Sequence, residues 1–187
     1  MKLIEPDVKI VSKLLNEGKV VALPTETVFG LAVKYDNITA IKKMDLIKNR
    51  EDKIYTMMIS DKDKLSSYVI ISEIAKNIVD EYMPGDITIV FEKKSDFESE
   101  YFKNSETIGI RIPKHKFMLD LLTETGPLLV TSANKSGEKP GITVDDVINN
   151  LNLDYIVNQD CDNSAPSTVV SVVNNKLKVL REGRIKL

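Results

Sequence analysis

A mixed α/β fold, a twisted mixed sheet with helical cover, is what this sequence predicts, and three observations carry the prediction. The run Val20-Val21-Ala22-Leu23 is apolar without alternation, the pattern of a strand buried on both faces. Short apolar runs of this kind are interleaved with segments of helical spacing along the whole chain. Several of the strand-like runs stop abruptly at a proline, a hydroxyl or a cation, and strand ends are where open α/β sheets place their ligands.

The elements follow in order. After Pro6, the residues Val8, Ile10, Val11, Leu14 and Leu15 recur at helical spacing, and Gly18 is a C-terminal stop. The buried strand over 20–23 ends at Pro24, which has no N–H to give to a ladder. Thr25-Glu26-Thr27 then forms a polar cluster closed by Gly30, a residue that lets backbone approach closely. The plain structural reading of that cluster is a helix start with Thr25 as its N-cap. Asp36 or Asn37 caps a helix through Ile41, Met44 and Ile47 that ends near Lys48-Asn49-Arg50. A strand is expected over 55–59 and a helix over 66–82, with a fresh start at Ser72-Glu73. Pro84-Gly85-Asp86 is a turn, followed by a strand over 87–91.

Residues 93–106 are the most polar segment and read as a surface loop. A strand over 108–112 is cut off by Pro113, and Phe117, Leu119, Leu121 and Leu122 belong to a helix ended by Gly126-Pro127. A strand over 128–131 opens into Ser132-Ala133-Asn134-Lys135-Ser136-Gly137, and Thr143 caps a helix over 144–151. Strands over 155–157, 168–173 and 177–180 follow, the last two joined by Asn174-Asn175, a good hairpin turn. Nothing divides this pattern, so residues 1–187 are expected to form one domain.

Composition narrows the function. The 187 residues carry 26 Lys and Arg against 28 Asp and Glu, a formal net charge of -2, so bulk electrostatics do not make a polyanion binder. Cys161 and His115 are the one cysteine and the one histidine, too few for an internal disulfide or a protein-only zinc site of the usual kind. Glu5 and Asp7 speak against a signal peptide, and no apolar run approaches the ~20 residues of a membrane span. A cytoplasmic protein without a membrane partner is the expectation.

The chemistry-bearing residues gather at strand and helix ends. Leu23 leads into Thr25 and Thr27, Ile110 into Arg111, Val130 into Ser132 and Asn134, and Leu180 into Arg181, while Lys48 and Arg50 end a helix. Plain structural roles compete at each: cations at a helix C-terminus, arginines at surface strand ends, a turn and an N-cap. The set offers Arg and Lys for oxyanions and hydroxyls and amides for polar readout. It lacks a nucleophile–base pair, because Cys161 and His115 lie apart from these ends in sequence. No Gly-rich phosphate motif is present, so phosphates would be held by fixed cations and loop N–H groups.

Seven segments, in this order, resemble the YrdC-like family of threonylcarbamoyl-AMP synthases in its short, single-domain form. They are Leu23-Pro24-Thr25-Glu26-Thr27-Val28-Phe29-Gly30-Leu31, Lys48-Asn49-Arg50, Pro84-Gly85-Asp86-Ile87-Thr88, Thr107-Ile108-Gly109-Ile110-Arg111-Ile112-Pro113, Thr131-Ser132-Ala133-Asn134-Lys135-Ser136-Gly137, Ser167-Thr168-Val169-Val170 and Leu180-Arg181-Glu182-Gly183. The resemblance implies a sheet curved around a basic concave pocket. It also implies condensation of L-threonine, bicarbonate and ATP to threonylcarbamoyl-AMP and pyrophosphate, a nucleotidyltransferase reaction. Downstream tRNA threonylcarbamoyl-transfer enzymes would consume the product to make t6A at position 37.

By that resemblance Thr25, Arg111, Ser132 and Ser167 are threonine contacts. Lys48, Arg50, Thr107, Asn134, Thr143 and Arg181 line the ATP site, and Lys48, Arg50 and Arg111 are the catalytic cations. Mg²⁺ accompanies ATP, held by phosphate and water rather than by protein side chains. Glu26, the nearby carboxylate, is read as a structural cap rather than a metal ligand. The sequence departs from the family pattern at Glu51, at Ile54-Tyr55 and Met57-Met58, at Ser171, and at Asp160-Cys161-Asp162-Asn163-Ser164. Other readings stay open: an RNA-binding module of the same fold that takes tRNA or double-stranded RNA, and a paralogue that adenylates a different carbamate.

Overall fold

The computed structural model describes residues 1–49, 55–162 and 165–187. One ten-stranded mixed sheet runs through them. Its strands are β1 (Lys2–Ile4), β2 (Val21–Leu23), β3 (Gly30–Lys34), β4 (Thr56–Met58), β5 (Ile87–Glu92), β6 (Thr107–Arg111), β7 (Leu128–Ser132), β8 (Tyr155–Val157), β9 (Thr168–Ser171) and β10 (Lys178–Arg181). Their order across the sheet is β1-β8-β2-β3-β7-β4-β6-β5-β9-β10. The pairs β1–β8, β2–β8, β4–β6 and β5–β9 are parallel, and the other neighbours are antiparallel.

Among the described residues are five α-helices: α1 (Val8–Asn16), α2 (Ile38–Lys48), α3 (Glu73–Tyr82), α4 (Lys116–Thr125) and α5 (Val144–Asn150). Most begin where a short polar side chain meets the first orphan N–H groups. Asp7 accepts from Lys9 N and Ile10 N, Asn37 from Ala40 N, and Ser72 from Ala75 N. Asn49 closes α2 in the left-handed region, at φ 48.

The pleat divides the apolar residues between two faces. Leu31 and Val33 of β3, Met57 of β4 and Leu129 of β7 join the core under α2, α3 and α5, with Met44, Val79 and Val147 from those helices. Their sequence neighbours Ala32, Met58, Leu128 and Val130 join a second core with Leu15 of α1 and Leu121 of α4. Burial on both faces is why the central strands read as unbroken apolar runs.

The structure departs from expectation in three places. Thr25 does not cap a helix. Residues 24–29 are a tight connection between β2 and β3, which pair antiparallel with Leu23 opposite Gly30. The apolar run 31–33 makes a second strand there, and neither it nor β1 was anticipated. Gly30 does mark a close approach: a Cβ on it would stand 2.6 Å from Val130 Cγ1.

The helix expected over 66–82 begins only at Glu73. Lys62–Ser67 is a 3₁₀ segment, and Val69 forms a bridge with Lys93 while Ile70 N donates to Glu92 O (2.9 Å). The β-branched Val69-Ile70-Ile71 favours that extended path. The polar segment 93–106 has no regular element, yet Phe102 is fully buried. Phe97 meets Tyr68 edge-on at 5.2 Å and Tyr101 meets Phe102 at 4.8 Å, so aromatic packing pins the loop. The Asn174-Asn175 hairpin is as expected, with both residues at positive φ (55 and 52).

Leu31→Ala removes a fully buried side chain from the centre of the larger core. It is expected to cost about 2–5 kcal/mol in urea denaturation, with an unchanged slope.

Candidate functional site

On the face shared with α1 and α4, helices cover only the half of the sheet around β2, β3 and β8. The other half, from β6 to β10, contributes no described residue to the core under those helices, and a cavity of about 540 Å³ lies on it. Strand alternation supplies its lining. Ile87, Ile89 and Phe91 of β5 and Ile108 and Ile110 of β6 enter the core, so Thr88 and Val90, with Thr107, Gly109 and Arg111, face the opening. Across β4 and β7 the cavity meets Met58, Val130 and Ser132, and on the other side it meets Ser167, Val169 and Arg181.

The cluster after β2 forms one wall. Thr25 Oγ1 donates to Val28 O (2.8 Å) and accepts from Thr27 N (3.0 Å), a hydroxyl-closed turn that replaces the helix cap. Thr27 Oγ1 accepts from Arg111 Nη1 at 3.0 Å. Arg111 Nη2 stands 2.9 Å from Glu26 Oε1 and 3.8 Å from Asp86 Oδ1. Glu26 Oε1 also accepts from Lys114 N (2.7 Å), so this carboxylate ties β6's exit to the β2–β3 connection. Arg111 is 5% exposed, and among the described residues its Nε has no hydrogen-bond partner. A buried cation fixed by one carboxylate and one hydroxyl, at a cavity wall, is a pre-aimed anion contact.

Arg181 faces it from β10. Its Nε and Nη2 donate to Ser167 O at 3.2 and 2.8 Å, and Nη2 reaches Ser167 Oγ at 3.2 Å. Ser167 Oγ is 3.1 Å from Thr88 Oγ1. Loss of solvent around Arg181, and then the Arg111 charge, hold its pKa below the ordinary arginine value. Two guanidiniums thus repel across one space, and an anion between them relieves that repulsion.

The expected residues divide into three groups by position. Thr25, Thr107, Arg111, Ser132, Asn134, Ser167 and Arg181 all line the one cavity. Lys48 approaches from behind. It is 2% exposed, and its ammonium donates to Ser132 O and Asn134 O (2.6 Å each) and to Asn134 Oδ1 (3.3 Å). Thr143 sits elsewhere, capping α5 through Asp146 N (3.1 Å) and bordering a second hollow beside Asp160. Arg50 lies outside the described residues.

Two features escaped the sequence reading. The Glu26–Arg111 pair joins residues far apart in the chain, and the one available signal was a carboxylate beside a doubly buried strand, which needs a cation. Cys161, judged remote by sequence, packs near the Thr25 main chain and the Glu26 carboxylate. Burial first, then Asp160, Asp162 and Glu26, push its thiol up to about 11, so it stays protonated and a poor nucleophile at neutral pH.

A twisted mixed sheet with one half-face left open as a hydroxyl- and arginine-lined pocket defines the class of protein. Residues 13–183 match the Sua5/YciO/YrdC family model, described as telomere recombination, and the chain belongs to that family. It is 32% identical over 183 residues to a Methanocaldococcus jannaschii protein provisionally named threonylcarbamoyl-AMP synthase, covering 96% of this chain and 86% of that one. It is 36% identical over 143 residues to Bacillus subtilis threonylcarbamoyl-AMP synthase, covering 74% of this chain but 41% of that one. The crystal structure of Pyrococcus abyssi Sua5 complexed with L-threonine superposes with a TM-score of 0.85 at 26% identity, over 97% of this chain and 56% of that one. The chain therefore spans about half the length of the longer relatives. Among the described residues, no helix is long and apolar enough to cross a membrane.

Lys48→Met leaves main-chain carbonyls of the 132–134 loop without their cation. A loss of roughly 1–3 kcal/mol is expected in chemical denaturation. For Cys161, alkylation by iodoacetamide is expected to be very slow at pH 8. It should accelerate about tenfold per pH unit until the pH reaches about 11; fast labelling at pH 7 would contradict the protonated thiol.

Proposed function

We propose that the protein is an L-threonylcarbamoyladenylate synthase, a nucleotidyltransferase that condenses L-threonine, bicarbonate and ATP to threonylcarbamoyl-AMP and pyrophosphate. The observation that supports this most is the pair of guanidiniums, Arg111 and Arg181, turned toward one cavity rimmed by Thr25, Ser132, Asn134 and Ser167. Threonine carries one carboxylate and one hydroxyl, and ATP carries a polyanion beside an uncharged nucleoside. The lining has a counterpart for each.

In this reading Arg111 takes the threonine carboxylate, with the hydroxyls of Thr25, Ser132 and Ser167 nearby. Arg181, Arg50 and Thr107 serve ATP. Asn134 holds its loop, donating from Nδ2 to Lys135 O and Glu138 O (2.7 Å each), and presents that loop to the nucleotide. Bicarbonate and a proton give carbon dioxide and water, and the threonine amine adds the carbon dioxide, losing a proton and giving a carbamate. A carbamate oxygen then attacks the α-phosphorus in line, the α–β bridging bond breaks, and pyrophosphate leaves with its electron pair. Nothing in these steps calls for a protein nucleophile, which suits a thiol held protonated. The chain contributes alignment and cationic stabilisation of the leaving pyrophosphate.

Lys48 contributes by holding the Ser132–Asn134 carbonyls, and Thr143 through α5, so their parts in ATP binding are indirect. Mg²⁺ would come with the triphosphate, held by phosphate and water rather than by protein side chains, and would supply neutralisation of phosphate charge. Among the described residues no group of three or more His, Cys, Asp or Glu could hold a metal ion, and Glu26 is engaged by Arg111. Cytoplasmic action, with transfer of the product to tRNA-modifying enzymes, completes the proposal.

Pyrophosphate release is expected to require threonine and bicarbonate together; equal release without threonine would refute the reaction. Arg181→Ala should remove a charge-assisted contact of about 1.5–3 kcal/mol, lowering kcat/KM for ATP roughly 10- to 150-fold. Unchanged kinetics would move the phosphate site elsewhere.

A further inference from the structure

The cavity floor holds a glycine that the fold does not need. Gly109 sits inside β6, paired with Val90, on the face turned to the pocket. A glycine within a strand costs chain entropy and packs nothing, and such a position often marks a ligand's close approach. The other glycines have local reasons. Each either lies at positive φ or would bring a Cβ to 3.1 Å or closer to a neighbour, as Gly30 would against Val130 (2.6 Å) and Gly183 against Pro166 O (2.4 Å). A Cβ on Gly109 would meet only Thr88 Cγ2 at 3.6 Å and Val90 Cγ2 at 3.8 Å, ordinary contacts, and its φ lies outside the left-handed region. What its missing side chain leaves is cavity space.

We propose that Gly109 is bare so that the nucleoside portion of a nucleoside triphosphate lies directly on the sheet, and that this residue limits the size of the group admitted there. This rests on the proposed function only in taking ATP as the ligand. The atoms nearest a Cβ on Gly109 are the methyls of Thr88 and Val90, and Val169 lies beyond on β9, apolar contacts that suit the face of a sugar or base. Arg111 is two residues further along the same face, about 7 Å away. Arg181 enters from β10 over Val169, its register partner. An uncharged group on Gly109 is thus held beside Arg181, which takes the same ligand's phosphates, and beside Arg111, which takes the threonine carboxylate. Thr107 and Thr88 put hydroxyls at the ends of the strip, within the cavity lining.

The test compares Gly109→Val and Gly109→Ala with the unaltered protein in thermal unfolding and in calorimetric titrations with ATP, inorganic tripolyphosphate and L-threonine. Both variants are expected to keep or raise Tm. Valine weakens ATP by about 10- to 100-fold, alanine by less, and tripolyphosphate and threonine bind as before. A fall in Tm for both variants would make the glycine structural and overturn the assignment. So would unchanged ATP affinity, an equal loss of tripolyphosphate, or a loss of threonine in place of ATP. An unaltered protein that binds ATP but releases no threonine-dependent pyrophosphate refutes the proposed reaction without touching this assignment.

Discussion

Coverage of the sheet is the constraint from which the site follows. One face is covered by α2, α3 and α5, while α1 and α4 reach only part of the other. A strand buried on both faces carries apolar residues throughout, as β2 does and as β3 does up to Val33. Where helices are missing, alternate positions meet solvent or a ligand and become polar or small. Thr88, Thr107, Gly109 and Arg111 occupy such positions, while their neighbours Ile87, Ile89, Ile108 and Ile110 stay in the core. The pocket is thus a gap in helical cover, and its chemistry is written on every second residue.

The buried Arg111–Glu26 pair turns that gap into a directed site. An isolated buried guanidinium would be costly, and here it is offset by one carboxylate, a threonine hydroxyl and a more distant aspartate. The same Glu26 oxygen accepts Lys114 N, so the pair also joins the β2–β3 connection to the entry of α4. Positioning and folding are therefore coupled. Lys48 plays the matching part in the loop next to that connection, where a buried ammonium gathers the carbonyls that end β7.

Much of the architecture was legible locally, because local rules govern it. Asn37 and Ser72 cap their helices, and Asn174-Asn175 turns its hairpin, as short polar side chains and left-handed residues do in most contexts. The helix start at Thr25 was misread because a threonine after a strand satisfies a hydroxyl-closed turn as well as an N-cap. What decided was a long-range fact, the pairing of Gly30 with both Leu23 and Ser132. The strand β1 was invisible for the same reason. Three exposed or half-exposed residues have no pattern of their own and become a strand only beside β8.

Sequence by itself determined most of the element types and the strand ends where polar residues collect, since these depend on spacing and on residue chemistry. Tertiary structure alone decided which of those residues face the cavity. It turned Lys48 away onto main-chain carbonyls, moved Thr143 to another hollow, and brought Cys161 beside Thr25. The physical reason is that a side chain's role depends on the partners that reach it, and in a mixed sheet with strand order β1-β8-β2-β3-β7-β4-β6-β5-β9-β10 those partners come from remote parts of the chain.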